Sequence, residues 1–235
     1  MTKLKNSFKV FFIFMFSSVV LHSQNDCNLY LGFSAGYSNN SLTTSVGYRP
    51  FMAYESQGSF TVGLPVLYNV NDWFGLYAEP GVIQKNYKWT RTDFYPVVDE
   101  PTPYHKVANT YLHLPAAGRF SFGPSNIRGF LMLGGYMGYW MSSNISGVTL
   151  ERDEYDTSFD FDSRRDNRFE YGLLPGIGVE YKLNDFCSIM LDGRYYYSVS
   201  DLQKNYMERK VPRYNNTFTL QAGILFNFSH LFKSN

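Results

Sequence analysis

The sequence predicts an all-β protein: one eight-stranded antiparallel up-and-down β-barrel that crosses a membrane. Three observations carry this. Only 17% of the 235 residues are charged while the chain holds 20 Tyr and 21 Phe; ordinary soluble domains are ~25% charged. Outside an N-terminal leader no apolar run approaches the ~20 residues a spanning helix needs. The rest alternates between apolar and polar residues at period 2, the signature of strands with two different faces.

The leader is residues 1–23. Lys3, Lys5 and Lys9 precede an apolar and Ser stretch from Val10 to Leu21, and Ser23-Gln24 gives a small-residue exit. This is the pattern of a secretory signal peptide, and its apolar part is too short to span a bilayer. One domain is expected over residues 24–235. The formal charge of +1 includes those three lysines, so the exported part is slightly acidic. It has no basic footprint for a nucleic acid, and no nucleic-acid partner is expected.

Eight alternating segments follow. The first is Leu29–Tyr37, with Leu29, Leu31, Phe33, Ala35 and Tyr37 on one face. The second and third are Phe60–Tyr68 and Phe74–Tyr87; each starts on an aromatic and keeps an apolar parity. The fourth is Tyr111–Phe122, with Leu112, Leu114, Phe120 and Phe122 on one side. Ile127–Met141 is the fifth and longest. Phe169–Tyr181, Cys187–Val199 and Phe218–Phe228 complete the set. The apolar parity carries no charge in any segment. The opposite parity carries Glu79, Lys85, His113, Arg119, Arg128, Glu170, Glu180, Asp192 and Arg194, interleaved with glycines such as Gly63, Gly134 and Gly178.

Two orientations fit alternation. A soluble barrel puts its apolar face inside and a densely charged face in water. A membrane barrel does the reverse, and its lipid face ends in aromatic girdles. Here the charges are few and balanced, and the apolar face ends in Tyr or Phe on nearly every segment. The membrane orientation is therefore expected. Connections alternate short (near Asn69–Asp72, Gly123–Asn126 and Asn184–Asp185) and long (near Asn39–Gln57, Thr90–Lys106, Ser142–Arg168 and Asp201–Asn216). Short turns on the periplasmic side and long loops outside put both termini in the periplasm.

An eight-stranded barrel is only wide enough for side chains to fill. Charges inside need partners, so Glu79, Arg119, Arg128, Glu180, Asp192 and Arg194 are expected to form a balanced lumenal ion-pair network. It reads as a salt-bridged plug, with a selective pathway as the alternative. His113 has no Ser–Asp set within view, and its expected neighbours are Arg119 and small residues. The acidic loop from Glu151 to Asp166 lacks EF-hand spacing and reads as a solvated exterior loop. No cofactor or metal set is expected. Cys27 is not a lipid-anchor site, since Gln24-Asn25-Asp26 precedes it. Cys27 and Cys187 fall at the periplasmic rim, as a disulfide or as two free thiols.

In the fourth and fifth segments the pattern becomes specific. Tyr111-Leu112-His113-Leu114-Pro115, then Arg119, then Gly129-Phe130-Leu131-Met132-Leu133-Gly134-Gly135-Tyr136 resembles the PorT-like outer-membrane β-barrel family of Bacteroidetes. Gly176-Ile177-Gly178-Val179-Glu180-Tyr181 and Asp192-Gly193-Arg194-Tyr195 are similar to it too. His113 stands where that family usually has Glu. Separately, Gln221, Gly223, Phe226 and Phe228 are similar to the C-terminal signal read by the outer-membrane barrel assembly machinery, although the chain continues from Ser229 to Asn235. The resemblance implies a cell outer membrane location and outer-membrane lipids as neighbours. It also implies a non-enzymatic role in envelope structure, in surface binding through the extracellular loops, or as an accessory to protein secretion. A small passive pore is the alternative, and an outer-membrane lipid hydrolase a third.

Overall fold

The computed structural model of the protein describes residues 29–44, 52–91, 103–149, 151, 153–204 and 212–228. The predicted leader and Cys27 lie outside the described residues. The elements are β1 (Leu29–Thr44), β2 (Met52–Gly63), β3 (Val66–Asn69), β4 (Phe74–Ala78), β5 (Gly81–Arg91), β6 (Tyr104–Phe122), β7 (Ile127–Val148), β8 (Glu154–Ser158), β9 (Phe169–Lys182), β10 (Cys187–Ser198) and β11 (Arg213–Asn227). Among the described residues no helix is long and apolar enough to cross a membrane.

These strands make eight staves of one closed antiparallel ring. β1 pairs with β2 and β3 on one side and with β11 on the other. The second stave is β2 plus β3, and the third is β4 plus β5. The ring continues through β6, β7, β9, β10 and back to β11. The expected second and third strands are thus each split in two, at Leu64-Pro65 and at Glu79-Pro80. Proline has no N–H to give to the ladder. The gap is bridged by single bonds: Leu64 N–H donates to the Pro80 carbonyl (2.9 Å), and Glu79 N–H to the Pro115 carbonyl (3.1 Å). The side-chain parity carries across both breaks.

The expected apolar face points outward throughout. Leu133 is 67% exposed and Phe33 66%, and Leu131, Leu173, Ile177, Leu191 and Leu220 are exposed with them. In water such a continuous apolar wall would drive association; in a bilayer it is the required surface. The outward aromatics Tyr139, Phe169, Tyr171, Tyr195, Tyr197 and Phe218 cluster toward the long-loop end. Phe74, Phe120, Phe122 and Tyr181 lie toward the short turns.

The staves run past the expected ends on the long-loop side. β1 reaches Thr44, β5 Arg91, β7 Val148, and β6 begins at Tyr104. Beyond the girdle the outward parity turns polar (Ser41, Thr43, Asn86, Lys106, Asn144), so apolar–polar alternation no longer marks the strand, but the backbone ladder continues. β8 adds a hairpin to β7 through Asn144↔Ser158 and Val148↔Glu154. The acidic loop is therefore partly strand. On the other rim Gly123 turns the chain between β6 and β7 with φ +109°, a left-handed conformation that favours glycine.

Candidate functional site

The lumen is the region where chemistry collects. Its inward parity is not purely polar, as the sequence leads one to expect. Inward-pointing Leu67, Tyr77, Phe130, Met132, Tyr136, Leu174, Met190, Tyr196 and Leu225 form one buried cluster. A second cluster, with Leu42, Ile83, Tyr87, Val107, Tyr111, Trp140 and Leu202, fills the long-loop half. The ions are set between these apolar groups in three layers.

Nearest the short turns, Arg119 on β6 pairs with Glu180 on β9, and its guanidinium lies 3.9 Å from the centre of the Phe130 ring. In the middle layer Arg194 on β10 donates to Asp192 (2.6 and 2.9 Å) and, across the lumen, to Glu79 (3.0 Å) and the Tyr77 hydroxyl (2.8 Å). Tyr77 also donates to Glu79. Gly63 makes room for this carboxylate: a Cβ there would stand 2.7 Å from Glu79 Oε1. The third layer joins Lys85 on β5 to Glu170 on β9. Glu170 accepts further bonds from the Tyr136 hydroxyl (2.8 Å) and the Asn215 amide (2.7 Å). The Lys85 ammonium also faces the rings of Tyr111, Tyr136 and Tyr196 at 5.2, 4.8 and 5.8 Å.

Five of the six residues expected in the network thus meet as two clusters: Arg119 with Glu180, and Arg194 with Glu79 and Asp192. Arg128 stands apart at the short-turn rim, where it donates to the Asp72 backbone carbonyl. It lies beside a cavity of about 400 Å³ that Tyr30, Glu180, Lys182 and Cys187 also line. The third layer was not foreseen. Lys85 and Glu170 both show on the charged parity of the sequence, but nothing local says that β5 and β9 face each other across the lumen. The tyrosines were missed because Tyr occupies both faces of the alternation.

His113 does not meet Arg119. Its ring packs edge-on against Tyr196 at 5.8 Å, and neither ring nitrogen has a hydrogen-bond partner among the described residues. Among the described residues no Ser–Asp pair is hydrogen-bonded to it. His105, expected in a loop, lies on the extension of β6, stacked on Trp89 at 3.8 Å and bonded to the Tyr155 hydroxyl. No group of His, Cys, Asp and Glu able to hold a metal occurs among the described residues. Cys187 is a free thiol among them. Cys27, the other cysteine expected at the periplasmic rim, lies outside them. Three of the four assembly-signal residues sit on the last strand: Gln221 and Gly223 are buried, Phe226 opposes Leu31 and Cys187 on the flanking staves, and Phe228 follows one residue past its end.

Among the described residues the side chains of the layers are packed too closely to expose a water-lined passage. Arg119 and Arg194 are 1% exposed, Lys85 2% and Tyr111 and Tyr196 0%. A channel that admitted water would expose its lining. Above the third layer an aromatic cap closes the long-loop mouth: Trp140 stacks between Tyr111 and Phe159 and meets Phe161 edge-on. The segment that brings Phe159 and Phe161 inward is tied by Arg165 to Asp166 (2.8 and 2.9 Å) and by Asn167 to the Asp201 carbonyl (2.8 Å).

Comparison with known proteins gives one family. The model of the outer membrane protein β-barrel domain matches residues 22–204. No curated protein matches the chain. Among solved structures it is similar to Neisserial surface protein A (15% identity, TM-score 0.42, 86% of this chain and 97% of that one). It is also similar to outer membrane protein OprG from Pseudomonas aeruginosa (11%, 0.47, 87% and 97%) and to outer membrane protease OmpT from Escherichia coli (11%, 0.47, 86% and 97%).

Proposed function

The chain belongs to the outer membrane β-barrel domain family, and from that premise we propose that it is a sealed, non-enzymatic barrel whose long loops present a binding surface outside the cell. As a member of that family it is an outer membrane protein. The observation that carries the proposal is the lumen: three buried ionic layers under an aromatic cap. Ions fixed this way rigidify a scaffold, and rigid scaffolds carry function on their loops. The longer staves and the β7–β8 hairpin concentrate exposed polar groups at one end. That end faces outward and the short turns and termini face the periplasm, following the general plan of such barrels. Outer-membrane lipids surround the wall, and the last strand carries the pattern for the barrel assembly machinery. The finer reading is PorT-like, with a role in envelope structure, surface binding or as an accessory to secretion. It is supported by the residues around Tyr111–Tyr139 and Asp192–Tyr195.

Two measurements test this. In planar bilayers the protein is expected to be electrically silent; steady conductance would make it the passive pore instead. Replacing Gly147–Tyr155 by Asn-Gly leaves the Ser146↔Asp156 pair closed by a two-residue turn. That variant should fold as before and lose partners that crosslink to the native protein in whole membranes. If every partner survives, the hairpin is not the binding surface.

A further inference from the structure

We infer that the long-loop mouth contains a site for a small organic anion with a flat apolar body, its carboxylate held by Arg213. A cavity of about 220 Å³ lies there between the barrel wall and the cap. It is below the ~300 Å³ at which drug-sized pockets begin, so it suits a single ring or a short branched acid. Its apolar sides are Trp89, Val107, Trp140, Ile145 and Phe159.

The polar side is unbalanced. Arg213 lines the cavity, its Nε is buried without a partner, and no carboxylate of the described residues pairs with its guanidinium. Asp166, which also lines the cavity, is already engaged by Arg165 through two bonds and by the Asp162 N–H at 2.9 Å, and the Asp201 carboxylate accepts the backbone N–H groups of Arg213 (3.1 Å) and Gln203 (2.9 Å). Ser143 also lines the cavity, is 3% exposed, and its hydroxyl has no partner. A buried donor left without an acceptor is destabilising, and more so when charged. A guanidinium with its Nε unmet and an unmet hydroxyl, both on one small apolar cavity, are complementary to a carboxylate that carries an apolar body. A neutral ligand would leave the cation unpaired; a bare inorganic anion would leave the aromatic walls unfilled.

The inference rests on the reading of this end as the binding end, but its test is separate. Trp89 and Trp140 flank the cavity and the third Trp, Trp73, is on the opposite rim, so a Trp73→Phe background reports the site by fluorescence. The full exported chain in detergent micelles is titrated with phenylacetate, with neutral phenylacetamide, and with acetate. Phenylacetate should give a saturable change, and the other two should not. Arg213→Met should weaken binding by at least about tenfold, the loss of one charge-assisted bond. Arg213→Lys should recover part of it, and Ser143→Ala should weaken it a few-fold. Unchanged heat-modifiable migration shows that each variant is folded. Equal binding of phenylacetamide, indifference to Arg213→Met, or no saturable change below about 20 mM phenylacetate would overturn the inference. Such a failure leaves the sealed barrel standing, whereas conductance would remove the sealed barrel without touching this site.

Discussion

Glu170 is the place to test whether the lumenal ions hold the barrel together. Its carboxylate accepts the Lys85 ammonium, the Tyr136 hydroxyl and the Asn215 amide, and both ionic side chains are 2% exposed. Glu170→Gln keeps the shape and removes the charge. The ammonium is then left with three tyrosine faces and one amide oxygen. Tyrosine faces at about 5 Å recover on the order of 2 kcal/mol. Breaking a buried pair by removing one partner costs ~3–5 kcal/mol, and that is the expected loss for Glu170→Gln and for Lys85→Met singly. The double variant removes both charges together. Removing a whole buried pair is often neutral, so the double should recover most of the loss and lie within about 1 kcal/mol of the native protein. Urea unfolding in phospholipid vesicles, followed by tryptophan fluorescence, measures all four proteins. If the double loses the sum of the two singles, the charges do not act on each other. If both singles lose less than about 1 kcal/mol, water reaches the layer and the sealed lumen is wrong.

Three further outcomes are expected. Leu133→Arg, on the outward face, should cost ~2–4 kcal/mol in the same vesicle assay, against ~0–1 for Val199→Arg beyond the last girdle; two near-zero values would mean that the wall faces water. Gly63→Ala should cost ~1–3 kcal/mol, because the added methyl presses on the Glu79 side chain, with Oε1 at 2.7 Å; in a Glu79→Ala background, which removes the atoms the methyl meets, most of that penalty should disappear. Cys187 is a free thiol among the described residues. Alkylation of the unfolded chain should therefore add two labels without reductant; no label without reductant and two with it would show that Cys187 is paired with Cys27.

The sequence by itself determined the wall. Period-2 alternation is a local property, so Phe33, Leu131 and Leu220 announce the outward face and Glu79, Arg119 and Arg194 the inward one with no knowledge of neighbours. The scarcity of charge and the aromatic strand ends then place that wall in lipid. Only the tertiary structure decided who meets whom inside. Arg194 reaches Glu79, 115 residues away, and Lys85 reaches Glu170, 85 away. Those meetings depend on the stagger of each stave against the next and on ring closure, which no single strand records. The same holds for Pro65 and Pro80, which read as ordinary residues in the alternation yet split two staves. It holds also for Trp140 and Phe159, which become a cap only when the chain between β8 and β9 folds back over the mouth. The facing of a side chain follows from its own backbone, but its partner follows from the closure of the whole sheet.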